Sequence, residues 1–227
     1  MREKLHRALI VALWLPLLAL TQGACADADR GVARYIAGQH YEVLSSPART
    51  RDADKIEVME VFWYGCSHCY HFEPLLRSWK KQQADDVVFA KTPAVWRKFM
   101  KTHAALYYAA EALQLPDAGH DALFTLLVKQ PRLVDLQRFA EIFSSHGIDE
   151  AAFHKAMSAF GTASKVSQAE SRSRKHYRVQ GTPEIIVDGK YRVSTRMAGG
   201  QAEMLAVVDY LVDLQRRQRV HSAGNPL

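Results

Sequence analysis

The chain has 227 residues, 48% of them hydrophobic and 24% charged, with a formal charge of +6. That composition is globular and excludes a disordered chain. The charge is mild and scattered rather than striped, which excludes a nucleic-acid surface and reads as a solvated exterior.

Arg2, Lys4 and Arg7 precede an apolar run, Ala8–Leu20, which Ala24-Cys25-Ala26 follows. A basic start, an apolar centre and an A-x-A end spell a secretory signal peptide over residues 1–26, cut after Ala26. The run is shorter than the roughly 18 apolar residues of a membrane span. Gln22 stands where bacterial lipoprotein signals usually carry Leu, which argues against lipid attachment at Cys25. Cleavage leaves 27 basic and 23 acidic residues, a formal +4, and only two cysteines, Cys66 and Cys69.

The mature start, Asp27–Arg34, reads as loose, Tyr35–Leu44 as a short strand, and Ser46–Asp54 as a loop. Ile56–Tyr64 is apolar, β-branched and aromatic, which predicts a buried strand. Gly65 breaks it, and an amphipathic helix opens at Cys66 and runs through Trp79, with Pro74 expected to kink it. Val87–Thr92 predicts a second strand, so strand, helix and strand imply a right-handed βαβ unit with parallel strands. From Arg97 to about Ser171 the period is helical. Segments end at Pro116, before Pro131, at Gly147 and at Gly161, and a longer helix spans about Ala163–Tyr177. Asp135 and Asp149 are expected N-caps, and Gly147 and Gly161 expected stops. Strands Glu184–Val187 and Tyr191–Ser194 then flank a two-residue Asp188-Gly189 turn. Gly199-Gly200 is a loop, Ala202–Arg217 a closing helix, and His221–Leu227 a tail.

Two thiols two residues apart at a helix start can close a disulfide ring and exchange two electrons. The helix end offers unpaired N–H groups and a positive dipole to the thiolate there. Cys66, at the cap, is the expected attacking thiolate, and Cys69, one turn in and more buried, the resolving thiol. His68 between them is placed to donate hydrogen bonds or charge to Cys66, which favours the reduced form and a disulfide that is donated. A zinc site would need a second ligand pair that the sequence lacks, so no metal is expected. Glu60 in the strand and Glu73 one turn after Cys69 are candidates for relaying protons, though either acid could simply face solvent. Gly181-Thr182-Pro183 enters a strand, where proline marks a tight turn, trans on intrinsic preference alone.

Cys66-Ser67-His68-Cys69 after a strand, Pro74, and Gly181-Thr182-Pro183 before a strand resemble the thioredoxin superfamily. The helical block between the halves, the export signal and the phrases YEVL, CYHFEPLL and VDGKYRV resemble, within it, the bacterial periplasmic thiol:disulfide interchange proteins of the DsbA type. The resemblance implies an α/β thioredoxin fold with an inserted helical domain. Residues 27–96 and 171–220 form its two halves, 97–170 the insertion and 221–227 a tail. It implies a cis peptide before Pro183, beside Cys66, with Thr182 pairing substrate backbone. It also assigns Cys66 as nucleophile, Cys69 as resolving thiol, and Glu60 and Glu73 as the acidic positions. The family's usual dipeptide is Pro-His, and this chain has Ser67-His68, so the family's oxidising strength does not carry over.

The expected activity is therefore a monomeric periplasmic dithiol oxidase acting on reduced, unfolded exported proteins. It needs no cofactor beyond the Cys66–Cys69 disulfide, and a DsbB-type quinone-linked membrane partner reoxidises it. Two rivals make different demands. For the rival that is a disulfide isomerase or reductase, isomerases of the family carry a separate dimerisation domain, none is visible between Asp27 and Val58, and a strongly reducing potential against glutathione would mark this rival. A chaperone-like binder of unfolded chains would bind without exchanging thiols.

Overall fold

A computed structural model describes residues 34–223, so the signal peptide expected over residues 1–26 lies outside the described residues. Five strands form one mixed sheet in the order β1 (Glu42–Val43), β5 (Tyr191–Ser194), β4 (Glu184–Val187), β2 (Ile56–Phe62), β3 (Val87–Pro93). β2 and β3 are parallel, as a βαβ unit requires, and every residue of β2 is buried. A central strand covered on both faces reads as a continuous apolar run, and the same burial makes its two acids, Glu57 and Glu60, exceptional.

Helix α1 (Ser67–Lys80) links β2 to β3. It runs through Pro74 without interruption and buries Cys69, Phe72, Glu73, Leu76 and Trp79 on one face. Between β3 and β4 lie α2 (Lys98–Ala112), α3 (Asp117–Lys129), α4 (Leu136–Ser145), α5 (Glu150–Ser158) and α6 (Phe160–Ser171). A π-helical turn, Arg172–His176, extends α6. α7 (Thr195–Ala198) and α8 (Gln201–Ala223) close the fold. α8 packs with Ile56, Val58, Phe72 and Leu76 in one core cluster. A second cluster joins the helical block to the site, since Cys69, Phe62 and Tyr64 pack with Tyr107, Phe124, Phe139 and Phe143.

The local signals held where the physics is local. Asp135 and Asp149 cap α4 and α5, accepting N–H bonds from Gln137, Arg138 and Ala152. Gly147 takes a φ of +80° after α4, a conformation that needs no Cβ.

Several expectations are corrected. The chain breaks after α5 at Ala159, which is extended, so Gly161 lies inside α6 rather than stopping a helix. Tyr35–Leu44 holds only two strand residues, Glu42–Val43, which follow a turn over residues 38–40 with Gly38 at φ +81°. The hairpin turn holds one residue more than expected. Asp188 and Gly189 take φ of +51° and +63°, but Lys190 also lies between the paired residues Val187 and Tyr191. α8 continues to Ala223, so His221 is helical and not part of a tail.

Candidate functional site

Cys66 is the N-cap of α1, with extended backbone, and its sulfur accepts the Cys69 backbone N–H at 3.3 Å. Both cysteines are free thiols in this structure. In its thiol form Cys66 donates to the carbonyl of Thr182 at 3.2 Å, the residue that precedes the cis Thr182–Pro183 peptide. The pairing of Cys66 with the proline loop, which no local pattern could supply, is thus present.

The two sulfurs differ in environment. A hydrogen bond from the Cys69 thiol is the largest influence on Cys66. Burial opposes it, and the Thr182 side chain and the backbone N–H groups of Cys69 and His68 add to it, bringing the Cys66 pKa down to about 6. Cys69 is fully buried, and burial first, then repulsion from Cys66 and Glu60, pushes its thiol well above the ordinary range. One sulfur is held as a thiolate and the other as a thiol at neutral pH.

His68 contributes to this through its backbone. Its side chain is exposed, and its carbonyl accepts a hydrogen bond from Gln201 Nε2 at 2.7 Å, tying α1 to the start of α8. Ser67 is exposed in the first turn of α1.

Beneath the cysteines lies a charge cluster that only the sheet register creates. Glu60 of β2 faces Lys91 of β3 directly. Lys91 Nζ lies 3.0 Å from Glu60 Oε2, and the same ammonium is hydrogen-bonded to Glu73 of α1. Its approach to Glu60 is an ion-pair contact off the hydrogen-bond direction, so neither Glu60 oxygen has a well-aligned donor. Burial raises the Glu60 carboxyl to about 7 despite the attraction of Lys91. Burial lowers Lys91, but Glu60 and Glu73 together outweigh it and hold the ammonium charged. Neither acid faces solvent, which settles the alternative left open for both.

A groove of ≈ 570 Å³ is walled by His68, Gly181, Thr182, Pro183, Thr195 and Arg196, and reaches Thr182, whose carbonyl meets Cys66. The loop that forms one wall is braced by Glu184, which is 3% exposed. Its Oε1 accepts the N–H groups of Gln180 at 3.2 Å and Gly181 at 3.1 Å. Buried Arg192 stands behind it, 3.6 Å from Glu184 Oε2, and also pairs with Glu42. Lys91, Glu184 and Gln201 escaped the sequence reading. A lone Lys within VVFAKT and a lone Glu at the head of the EIIV strand were the available signals, because a charge within a buried strand needs a partner.

Among the described residues, no group of three or more His, Cys, Asp or Glu could hold a metal ion. Among the same residues, no helix is long and apolar enough to cross a membrane.

The DSBA-like thioredoxin domain family matches residues 93–212. The chain belongs to that family. A thiol:disulfide interchange protein DsbA of Azotobacter vinelandii is 36% identical over 180 residues, 79% of this chain and 84% of that protein. The Pseudomonas aeruginosa protein of the same name is 33% identical over 211 residues, 92% of this chain and 97% of its own. The crystal structure of Pseudomonas aeruginosa DsbA superposes with a TM-score of 0.77 at 33% identity, covering 82% of this chain and 96% of the other. That of reduced DsbA1 from Neisseria meningitidis gives a TM-score of 0.72 at 27% identity, covering 82% and 98%. The fold is accordingly the thioredoxin fold with a helical insertion, and the protein is a thiol:disulfide oxidoreductase, as its family and its paired thiols require.

Proposed function

We propose that this protein is a periplasmic dithiol oxidase that donates the Cys66–Cys69 disulfide to reduced exported proteins. The observation that carries this is the asymmetry of the two sulfurs. A substrate thiolate attacks Cys66 Sγ of the disulfide, and Cys69 leaves and takes up a proton as its buried position demands. The product is a mixed disulfide between substrate and Cys66. A second substrate thiolate then attacks the substrate sulfur of that bond. Cys66 departs as a thiolate, which its lowered pKa favours, and two electrons have passed to the protein. Whatever stabilises this thiolate stabilises the dithiol form, so exchange runs toward oxidised substrate.

Glu60 is suited to lend and recover the Cys69 proton. It is buried with an elevated pKa, it acts electrostatically on Cys69, and Lys91 compensates its charge when it ionises. Glu73 shares Lys91 and holds it in place. The substrate lies in the groove, with its backbone along Thr182 and Pro183. Export by the signal over residues 1–26 would place the enzyme in the periplasm, where a DsbB-type quinone-linked membrane oxidase returns the dithiol to the disulfide. The enzyme acts as a monomer.

The test is oxidation of a reduced, unfolded protein by the purified disulfide form. Cys66→Ser is expected to abolish it, and Cys69→Ser, which cannot carry the disulfide, to be equally inactive. Given a disulfide-bonded substrate instead, Cys69→Ser should trap the Cys66 mixed disulfide, with the second substrate sulfur released as a thiolate. Undiminished oxidation by Cys66→Ser would overturn the mechanism. An equilibrium with glutathione lying far toward the protein disulfide would mark a reductase instead.

A further inference from the structure

Trp63 lies between β2 and the Gly65-Cys66 turn, and its backbone touches both cysteines. Its carbonyl accepts the Cys66 N–H at 3.0 Å, and its backbone is among the weaker influences on the Cys69 thiol. Its indole lies against the turn itself, since a Cβ on Gly65 would fall 2.3 Å from the ring. The position of this one residue therefore fixes the turn that carries Cys66.

What holds the indole comes from the helical insertion. The Trp63 indole N–H donates to His103 Nδ1 at 2.9 Å, and the two ring planes lie within 13° of each other with centroids 6.1 Å apart. An indole N–H can only donate, so His103 Nδ1 must be the unprotonated nitrogen. Its proton is therefore on Nε2, which faces the Leu133 carbonyl at 2.7 Å in the loop between α3 and α4. His103 is 1% exposed, and the rings of Phe99 and Phe139 meet it edge-on. The groups facing it are Trp63 after β2, Phe99 on its own helix, Leu133 in the loop and Phe139 on α4, and none of these is titratable.

We propose that His103 is a positioning residue for thiol–disulfide exchange: as a neutral imidazole it clamps Trp63, and through it the helical insertion holds the Cys66–Cys69 turn in its reactive geometry. Burial lowers the imidazole's pKa, and the Leu133 carbonyl opposes this more weakly, so the neutral form the clamp requires persists at pH 7. Protonation would set a second N–H against the indole N–H and open the clamp. The proposal rests on the reading of Cys66 and Cys69 as the exchanging pair. That reading is tested first by the wild-type enzyme, whose inactivity would sink it independently of His103.

The experiment compares H103F, which keeps the buried ring and removes both hydrogen bonds, with H103N, whose side-chain carbonyl can still accept from the indole. In folded H103F the Cys66 thiolate absorbance is expected to titrate at least about half a pH unit higher. The glutathione equilibrium should move roughly threefold toward the protein disulfide. H103N should recover most of both changes. A folded H103F with unchanged titration and unchanged equilibrium, beside an active wild type, overturns the proposal. Should H103F not fold, the wild-type Trp63 indole N–H, assigned by NMR with W63F, decides the matter. Slow exchange at pH 7 that is lost on acidification supports the clamp, and fast exchange at pH 7 overturns it.

Discussion

Changing the pH acts on the dithiol protein through a group that the disulfide form does not possess. Cys66 titrates at about 6 in the fold against an ordinary 9.0. A depressed folded pKa stabilises the folded dithiol fully above the unfolded value, and that contribution is lost as pH falls through 6. With these two midpoints it amounts to about 0.1 kcal/mol at pH 5, about 1.4 at pH 7 and about 2.7 at pH 8. Cys69 stays protonated over this range because burial pushes it up. Glu60 works in the opposite sense. Raised to about 7, it favours the fold below the unfolded carboxylate range and loses that contribution as pH rises through 7. It is present in both redox forms, and Cys66 repulsion is the last of the influences on it, so it largely cancels from their difference. The assay is urea unfolding of the dithiol and disulfide forms at pH 5, 7 and 8. The stability difference in favour of the dithiol should grow by about 2.6 kcal/mol from pH 5 to pH 8. A difference that stays flat would refute the claim that the fold stabilises a Cys66 thiolate.

Lys91→Met leaves Glu60 and Glu73 without the cation between them, and urea unfolding at pH 8 should show a loss of about 3 kcal/mol. At pH 5 the loss should shrink, because a protonated Glu60 no longer needs the ammonium. Adding Glu60→Leu to Lys91→Met should restore part of the stability, and no recovery would place the damage elsewhere. Glu184→Ala frees the Gln180 and Gly181 N–H groups and leaves Arg192 without one partner. Steady-state kinetics with a reduced peptide should show KM rising roughly tenfold, equivalent to about 1.4 kcal/mol of lost loop order. Glu184→Gln keeps the acceptor and should stay near the wild-type KM.

The paired cysteines at a helix start, the capping aspartates and the Asp188-Gly189 turn were legible because each is decided within a few residues. N–H groups at a helix end need acceptors, and a φ of +63° favours glycine whatever surrounds it. Hydrophobic periodicity likewise delivered β2, α1 and β3, since burial on one or both faces repeats along the chain. The short α7 carries too few residues to show a period, and Ala159 breaks a helix without any residue type that announces a break.

The chemistry of the site was divided in the same way. The paired thiols and their place at a helix start were written in the sequence. Which sulfur ionises, where its proton can go and what holds the turn depended on contacts between distant segments. Glu60 meets Lys91 only through parallel register, Cys66 meets Thr182 only after the chain has crossed the whole helical insertion, and Trp63 meets His103 forty positions on. A pKa is set by burial and by the groups within a few ångströms, and neither exists until the tertiary structure has formed.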